Sequence, residues 1–174
     1  MALPYSPKVG EVLECDFGDF PKDENGKIDQ EKLTLNGRMP PEMVKNRLVV
    51  VLNSKFNGAC VVVPISSLKD QDKIARKWHV HIDPKLIDGR PHFTPKDSWA
   101  KAEHVQHVSK NRLSKIQGGK SQYLPREVVT LIQTAVIRAI GAQSLLPKPE
   151  PISAATTPIT DTAAESPVAE VDVA

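Results

Sequence analysis

Arg47 opens one apolar run, Arg47-Leu48-Val49-Val50-Val51-Leu52-Asn53, and Ser66 closes another, Ala59-Cys60-Val61-Val62-Val63-Pro64-Ile65-Ser66. Antiparallel pairing of the two runs brings the entrance of the first and the exit of the second to one end of a sheet. A guanidinium beside a hydroxyl at a strand end suits a phosphate group, because both offer donors to its oxygens. A second chemically capable pair lies in Trp99-Ala100-Lys101-Ala102-Glu103. Strand alternation puts Lys101 and Glu103 on one face, about 7 Å apart at roughly 3.3 Å per residue, with Ala100 and Ala102 pointing away. A carboxylate and a cation at that spacing can move a proton and neutralise a growing charge. Taken alone, they are equally a surface salt bridge.

The elements that must position these residues are mostly strands. Residues 9–17 read as the first, with Val9, Glu11, Leu13 and Cys15 on one face and Val12, Glu14 and Asp16 on the other. Residues 18–46 form a long polar loop punctuated by Gly18, Pro21, Gly26, Gly37, Pro40 and Pro41. The continuous apolar runs at 47–53 and 59–65 predict strands buried on both faces, turned by Asn57-Gly58. Residues 77–82 alternate, with Trp78, Val80 and Ile82 toward the core and Lys77, His79 and His81 outward. After a second loop over 85–97, a strand over 98–105 extends to Val108 past a bulge. Residues 110–116 begin with a helical turn and end in a short strand.

One amphipathic helix spans 125–141, with Val128, Val129, Leu131, Ile132, Ala135, Val136, Ala139 and Ile140 on its apolar face. Pro125 suits its first turn and Gly141 the position after its last. The sum is a mainly β chain: a small antiparallel barrel of five or six strands closed by a C-terminal helix. Its expected limits are residues 1–146, followed over 147–174 by a disordered Pro/Ala/Thr-rich acidic tail.

Composition narrows the function classes. The chain has 174 residues and carries a formal charge of +2. Five of its 21 acids (Glu150, Asp161, Glu165, Glu170 and Asp172) lie after Lys148, where no Lys or Arg occurs. The remaining 16 acids face all 23 bases, so the body carries about +7 and suits a polyanionic partner. No apolar run reaches membrane-spanning length, and the N-terminus lacks the pattern of a secretory signal, so a cytoplasmic protein is expected. Cys15 and Cys60 read as two buried free thiols. Asp23-Glu24-Asn25-Gly26 has the turn of a calcium loop, but Pro21 and Lys32 occupy the positions that need carboxylates. His79 and His81 form an i, i+2 pair that could begin a zinc site, yet no third ligand is identifiable. His104 and His107 stand close to Lys101 and Glu103, and either could help with proton transfer near neutral pH. No metal or cofactor is assigned.

In their order along the chain, Val9-Gly10-Glu11-Val12, Arg47 before the Val-rich strand, Val63-Pro64-Ile65-Ser66-Ser67 and residues 101–113, ending Ser109-Lys110-Asn111-Arg112-Leu113, make the chain resemble the PemK/MazF toxins. The likeness covers residues 7–141. It implies an SH3-like barrel, a homodimer, a cognate antitoxin and a metal-independent endoribonuclease. Such an enzyme cuts single-stranded mRNA to leave 2′,3′-cyclic phosphate and 5′-hydroxyl ends. It further implies Glu103 as general base, Lys101 as general acid or phosphate clamp, Arg47 as transition-state cation and Ser66 as donor to phosphate. Lys45, Ser67, Gln106 and His107 flank these positions as RNA contacts. The chain departs from the family pattern at Leu48, where the family has proline, and at Pro41, where the PemK branch has a histidine. Lys101 stands where that branch has an arginine.

A different class remains open. The same barrel occurs in gyrase-directed toxins, so a non-catalytic module that binds nucleic acid, including DNA, or protein is the alternative. Whether Arg47, Ser66, Lys101 and Glu103 share one groove separates the two. A third reading has the acidic tail competing with RNA for a basic groove.

Overall fold

The computed structural model describes residues 3–87, 96–116 and 121–147. The expected tail and most of the loop over 85–97 lie outside the described residues. The two apolar runs become β2 (Asn46–Phe56) and β3 (Ala59–Ser66), a hairpin turned at Asn57-Gly58, where Gly58 takes φ 71°. β1 (Glu11–Asp16) lies antiparallel on the other edge of β2, with Val12 opposite Val50 and Leu13 opposite Val49. The strand begins at Glu11 rather than Val9 because Gly10, at φ 84°, turns the chain there. A Cβ on Gly10 would stand 3.0 Å from Val129 Cγ2, so the close approach of the C-terminal helix also demands glycine.

Beyond β3 come α1 (Gln71–Ala75), β4 (His79–Ile82), β5 (Ser98–Lys101), β6 (Gln106–Ser109), β7 (Leu113–Ser114), β8 (Gln122–Tyr123) and α2 (Arg126–Ala139). The strands form one antiparallel sheet in the order β4-β5-β3-β2-β1-β7, with β6 also on β3 and β8 also on β1. The result is mainly β with a helix near the C-terminus, barrel-like in layout. Among the described residues no pairing joins the outer strands β4 and β7, so hydrogen bonds do not close the sheet.

Eight strands replace the expected five or six because the strand expected over 98–108 is two and the short β8 is additional. Ile65 faces Ala100 in β5, whereas Val62 faces Gln106 in β6. Three steps back along β3 thus match six steps forward in the chain, so three residues are extra. They are the 3-10 turn Ala102–His104. The excursion stands opposite Val63 and Pro64, and Pro64 has no N–H to offer a ladder. It is a full turn rather than the expected bulge.

Both faces of the sheet are buried, as continuous apolar runs require. On the first face Val12, Val50, Val63, Ile65, Ile82 and Ala100 pack beneath Val129 and Ile132 of α2. On the second, Leu13, Cys15, Phe17, Val49, Val51 and Val62 form a separate cluster. The helix is bounded as its sequence demands, with Pro125 as the N-cap residue and Gly141 at φ 79° past its end. Leu131 and Ile140, assigned to its apolar face by spacing, stay exposed.

Candidate active site

Directly paired residues on neighbouring strands project from the same face of a sheet. That rule connects the candidate side chains. Arg47 alternates with Val49 and Val51 of the second face and is paired with Cys15. Val62, Pro64 and Ser66 continue that face along β3. Ser66 is paired with Trp99, and Lys101, two residues on, is paired with His79. Arg47, Ser66, Trp99, Lys101, His79 and His81 therefore share the second face, where the hairpin ends and β5 and β4 begin to flank it.

Arg47 and Ser66 each lie two residues beyond Val49↔Pro64, the last pair of the hairpin, at the same end. The half-buried Arg47 donates from Nε to the Val44 carbonyl at 3.3 Å, and among the described residues its other N–H groups have no partner. Ser66 Oγ accepts the Leu68 N–H at 3.2 Å, so its own proton is available for donation. From Ser66 to Lys101 is a diagonal step of about 7–8 Å between backbones. Lys101 is buried at 7% exposure. Among the described residues neither Arg47 nor Lys101 has a carboxylate within ion-pair distance.

Glu103 reaches this face by a different route from the expected one. The strand ends at Lys101, so alternation no longer applies, and Glu103 lies in the 3-10 turn. Its Oε1 meets His79 Nε2 at 2.8 Å and stands 3.9 Å from His104 Nε2. His79, expected to face solvent, has no exposed side-chain surface because this turn covers it. Among the described residues the second polar atoms, His79 Nδ1 and Glu103 Oε2, are buried without a hydrogen-bond partner. The Gln122 side-chain amide in β8 is buried in the same way, and each such atom is costly unless water reaches it. No periodicity announces this contact, since the two residues are 24 positions apart.

Electrostatics tie the same groups together. Burial pushes the His104 imidazole below its ordinary value; Glu103 opposes that shift, while the charges of Lys101, His79 and Lys73 add to it. Asp70 caps α1 by accepting the Lys73 N–H at 3.1 Å, which holds its carboxyl below the usual range, and His79 and Lys101 push the same way. A neutral imidazole, a carboxylate held by a second imidazole, and two unpaired cations thus border one surface.

The flanking contacts divide. Lys45 is exposed just before β2 and takes φ 70°; its N–H donates to the Gly18 carbonyl at 2.6 Å, pinning the long loop beside Arg47. Ser67 is exposed next to Ser66. Gln106, paired with Val62, falls on the second face. His107 does not. Because the excursion adds an odd number of residues, the faces exchange past it, and His107 turns away to pack edge-on against Phe56, ring centroids 5.2 Å apart. His81 makes no pair with His79 for a metal; its Nε2 meets Asp97 Oδ1 at 2.8 Å and its ring lies 5.6 Å from that of Trp99. Among the described residues no three His, Cys, Asp or Glu side chains gather as a metal site. Nor is any helix among them long and apolar enough to cross a membrane.

The chain is 51% identical over 150 residues to the putative uncharacterized protein YifN of Escherichia coli strain K12, covering 84% of this chain and 99% of that one. It is 47% identical over 147 residues to an uncharacterized protein of Haemophilus influenzae, covering 83% and 96%. Among solved structures, MazF from Deinococcus radiodurans superposes with a TM-score of 0.49 at 12% identity, covering 79% of this chain and 98% of that one. The Mycobacterium tuberculosis toxin MazF-mt6 gives 0.41 at 16% identity, covering 57% and 91%. The family model for the PemK-like, MazF-like toxin of type II toxin-antitoxin systems matches residues 8–140, from just before β1 to the end of α2. The chain belongs to that family.

Proposed function

We propose that this protein is a metal-independent endoribonuclease acting on single-stranded RNA, the toxin of a type II pair restrained by a cognate antitoxin and working as a homodimer. The observation that carries the reading is the shared face of Arg47, Ser66 and Lys101, with Glu103 delivered to it by the turn that follows β5. Cleavage through the 2′-hydroxyl needs a base, an acid and positive charge around the phosphorane. Glu103 takes the 2′-hydroxyl proton, oriented by its contact with His79. The 2′-oxygen then bonds to phosphorus as the bond to the 5′-oxygen breaks. Arg47 and the Ser66 hydroxyl hold the nonbridging oxygens. Lys101 protonates the departing 5′-oxygen, leaving a 2′,3′-cyclic phosphate and a 5′-hydroxyl.

The test is incubation of the purified protein, and of Arg47→Ala and Glu103→Gln, with a long single-stranded RNA in EDTA, followed by mapping of the ends. Discrete cuts with cyclic-phosphate ends, lost in both variants, support the reading. A folded, antitoxin-free wild type that binds RNA without cutting it overturns the enzyme in favour of a binding module.

A further inference from the structure

The site above lies on the sheet, but a second cluster of positive charge lies around its β4 edge. An open groove of about 510 Å³ runs between the end of α1 and the C-terminal end of α2, lined by Arg76, Lys77, Trp78, Arg138 and Gly141 among others. Among the described residues no acidic side chain lines it. At its rim Lys73 Nζ stands 4.6 Å and the Arg76 guanidinium 5.3 Å from the centre of the Trp78 ring. An aromatic face holds cations in place without cancelling their charge, as a carboxylate would. Among the described residues none of Lys73, Arg76, Lys77 and Arg138 has a carboxylate within ion-pair distance. The nearby Asp70 carboxylate is engaged in capping α1. Arg138 also offsets the negative end of α2, which would otherwise repel an anion there.

The groove adjoins the site covalently and by hydrogen bond. Trp78 precedes His79, and its carbonyl accepts the Ala102 N–H at 3.1 Å, between Lys101 and Glu103. A nucleic-acid strand leaving the second face over the edge strand β4 therefore meets these cations next. We infer that the groove is a phosphate-binding subsite for the backbone of single-stranded RNA flanking the cut, reading charge rather than base identity. This rests on the proposal that RNA is the substrate.

The test is equilibrium binding of a fluorescent 2′-O-methyl RNA strand, which lacks the attacking hydroxyl, as a function of salt. Wild type is compared with Arg76→Gln/Arg138→Gln and with Arg76→Lys/Arg138→Lys, and far-UV circular dichroism checks each fold. Removing two phosphate contacts should lower the magnitude of the log K against log salt slope by about 1.4, at roughly 0.7 per contact for single strands, and weaken binding at low salt. The lysine variant, which keeps the charge, should retain the wild-type slope. An unchanged slope and affinity in the glutamine variant overturns the inference even if wild type cuts RNA. A reduced slope in a protein that never cuts RNA overturns the enzyme and leaves the subsite standing. A wild type that does not bind the strand overturns both.

Discussion

His79 Nε2 and Glu103 Oε1 meet at 2.8 Å across 24 positions of sequence, and the far atom of each side chain, Nδ1 and Oε2, is buried without a partner among the described residues. Removing one partner of this contact leaves the other unmet, at a cost of about 1–3 kcal/mol for a buried group. Replacing Glu103 by Gln keeps an oxygen for His79 while removing the base. RNA cleavage should fall by about 10²–10⁴-fold at nearly constant melting temperature. His79→Ala, by contrast, should lower both, with about 1–3 kcal/mol lost in urea unfolding. Equal loss of stability in the two variants would mean the contact is structural.

The turn that carries Glu103 also makes stability depend on pH. Burial holds the folded His104 imidazole below its ordinary value, so across that interval the unfolded chain binds a proton that the native state does not. Stability from this group is complete above the unfolded value and is lost as pH falls toward the folded one. Melting temperature should drop as pH falls through and below the ordinary imidazole value of about 6.5, and His104→Gln should flatten part of that drop. A variant curve parallel to the wild type would remove His104 as a cause.

The two thiols should be silent in the native protein. Burial pushes Cys15 up to about 12 and raises Cys60 as well, and both side chains lie in the second-face cluster. Reaction with a disulfide reagent at neutral pH should be negligible until denaturant is added, since the thiolate is the reactive form. Rapid labelling without denaturant would contradict the packing of that cluster.

Ile132 is fully buried where α2 meets the first face, whereas Leu131 beside it is 56% exposed. Ile132→Ala should cost about 2–5 kcal/mol in urea unfolding. Leu131→Ala should stay within about 0.5 kcal/mol of wild type. Comparable losses would mean that α2 buries a different face.

The parts legible in the sequence are those whose physics is local. Continuous valine runs with Asn57-Gly58 between them dictate the hairpin, and an antiparallel hairpin necessarily brings Arg47 and Ser66 to one end. Pro125, Gly141 and helical spacing delimit α2, and the helical turn at Lys110–Arg112 runs into Leu113–Ser114 as read. What only the tertiary structure decided follows from one interruption. Opposite Pro64 the chain leaves the sheet for three residues, and an odd excursion exchanges the faces of everything after it. Gln106 and His107, named together by the resemblance, therefore fall on opposite faces, and alternation missed the route by which Glu103 reaches the site. His79 became buried because a distant turn covers it, and no periodicity within its own strand encodes that cover. Periodicity describes a strand only while its partner continues; where pairing stops, the position of a side chain is set by what packs over it.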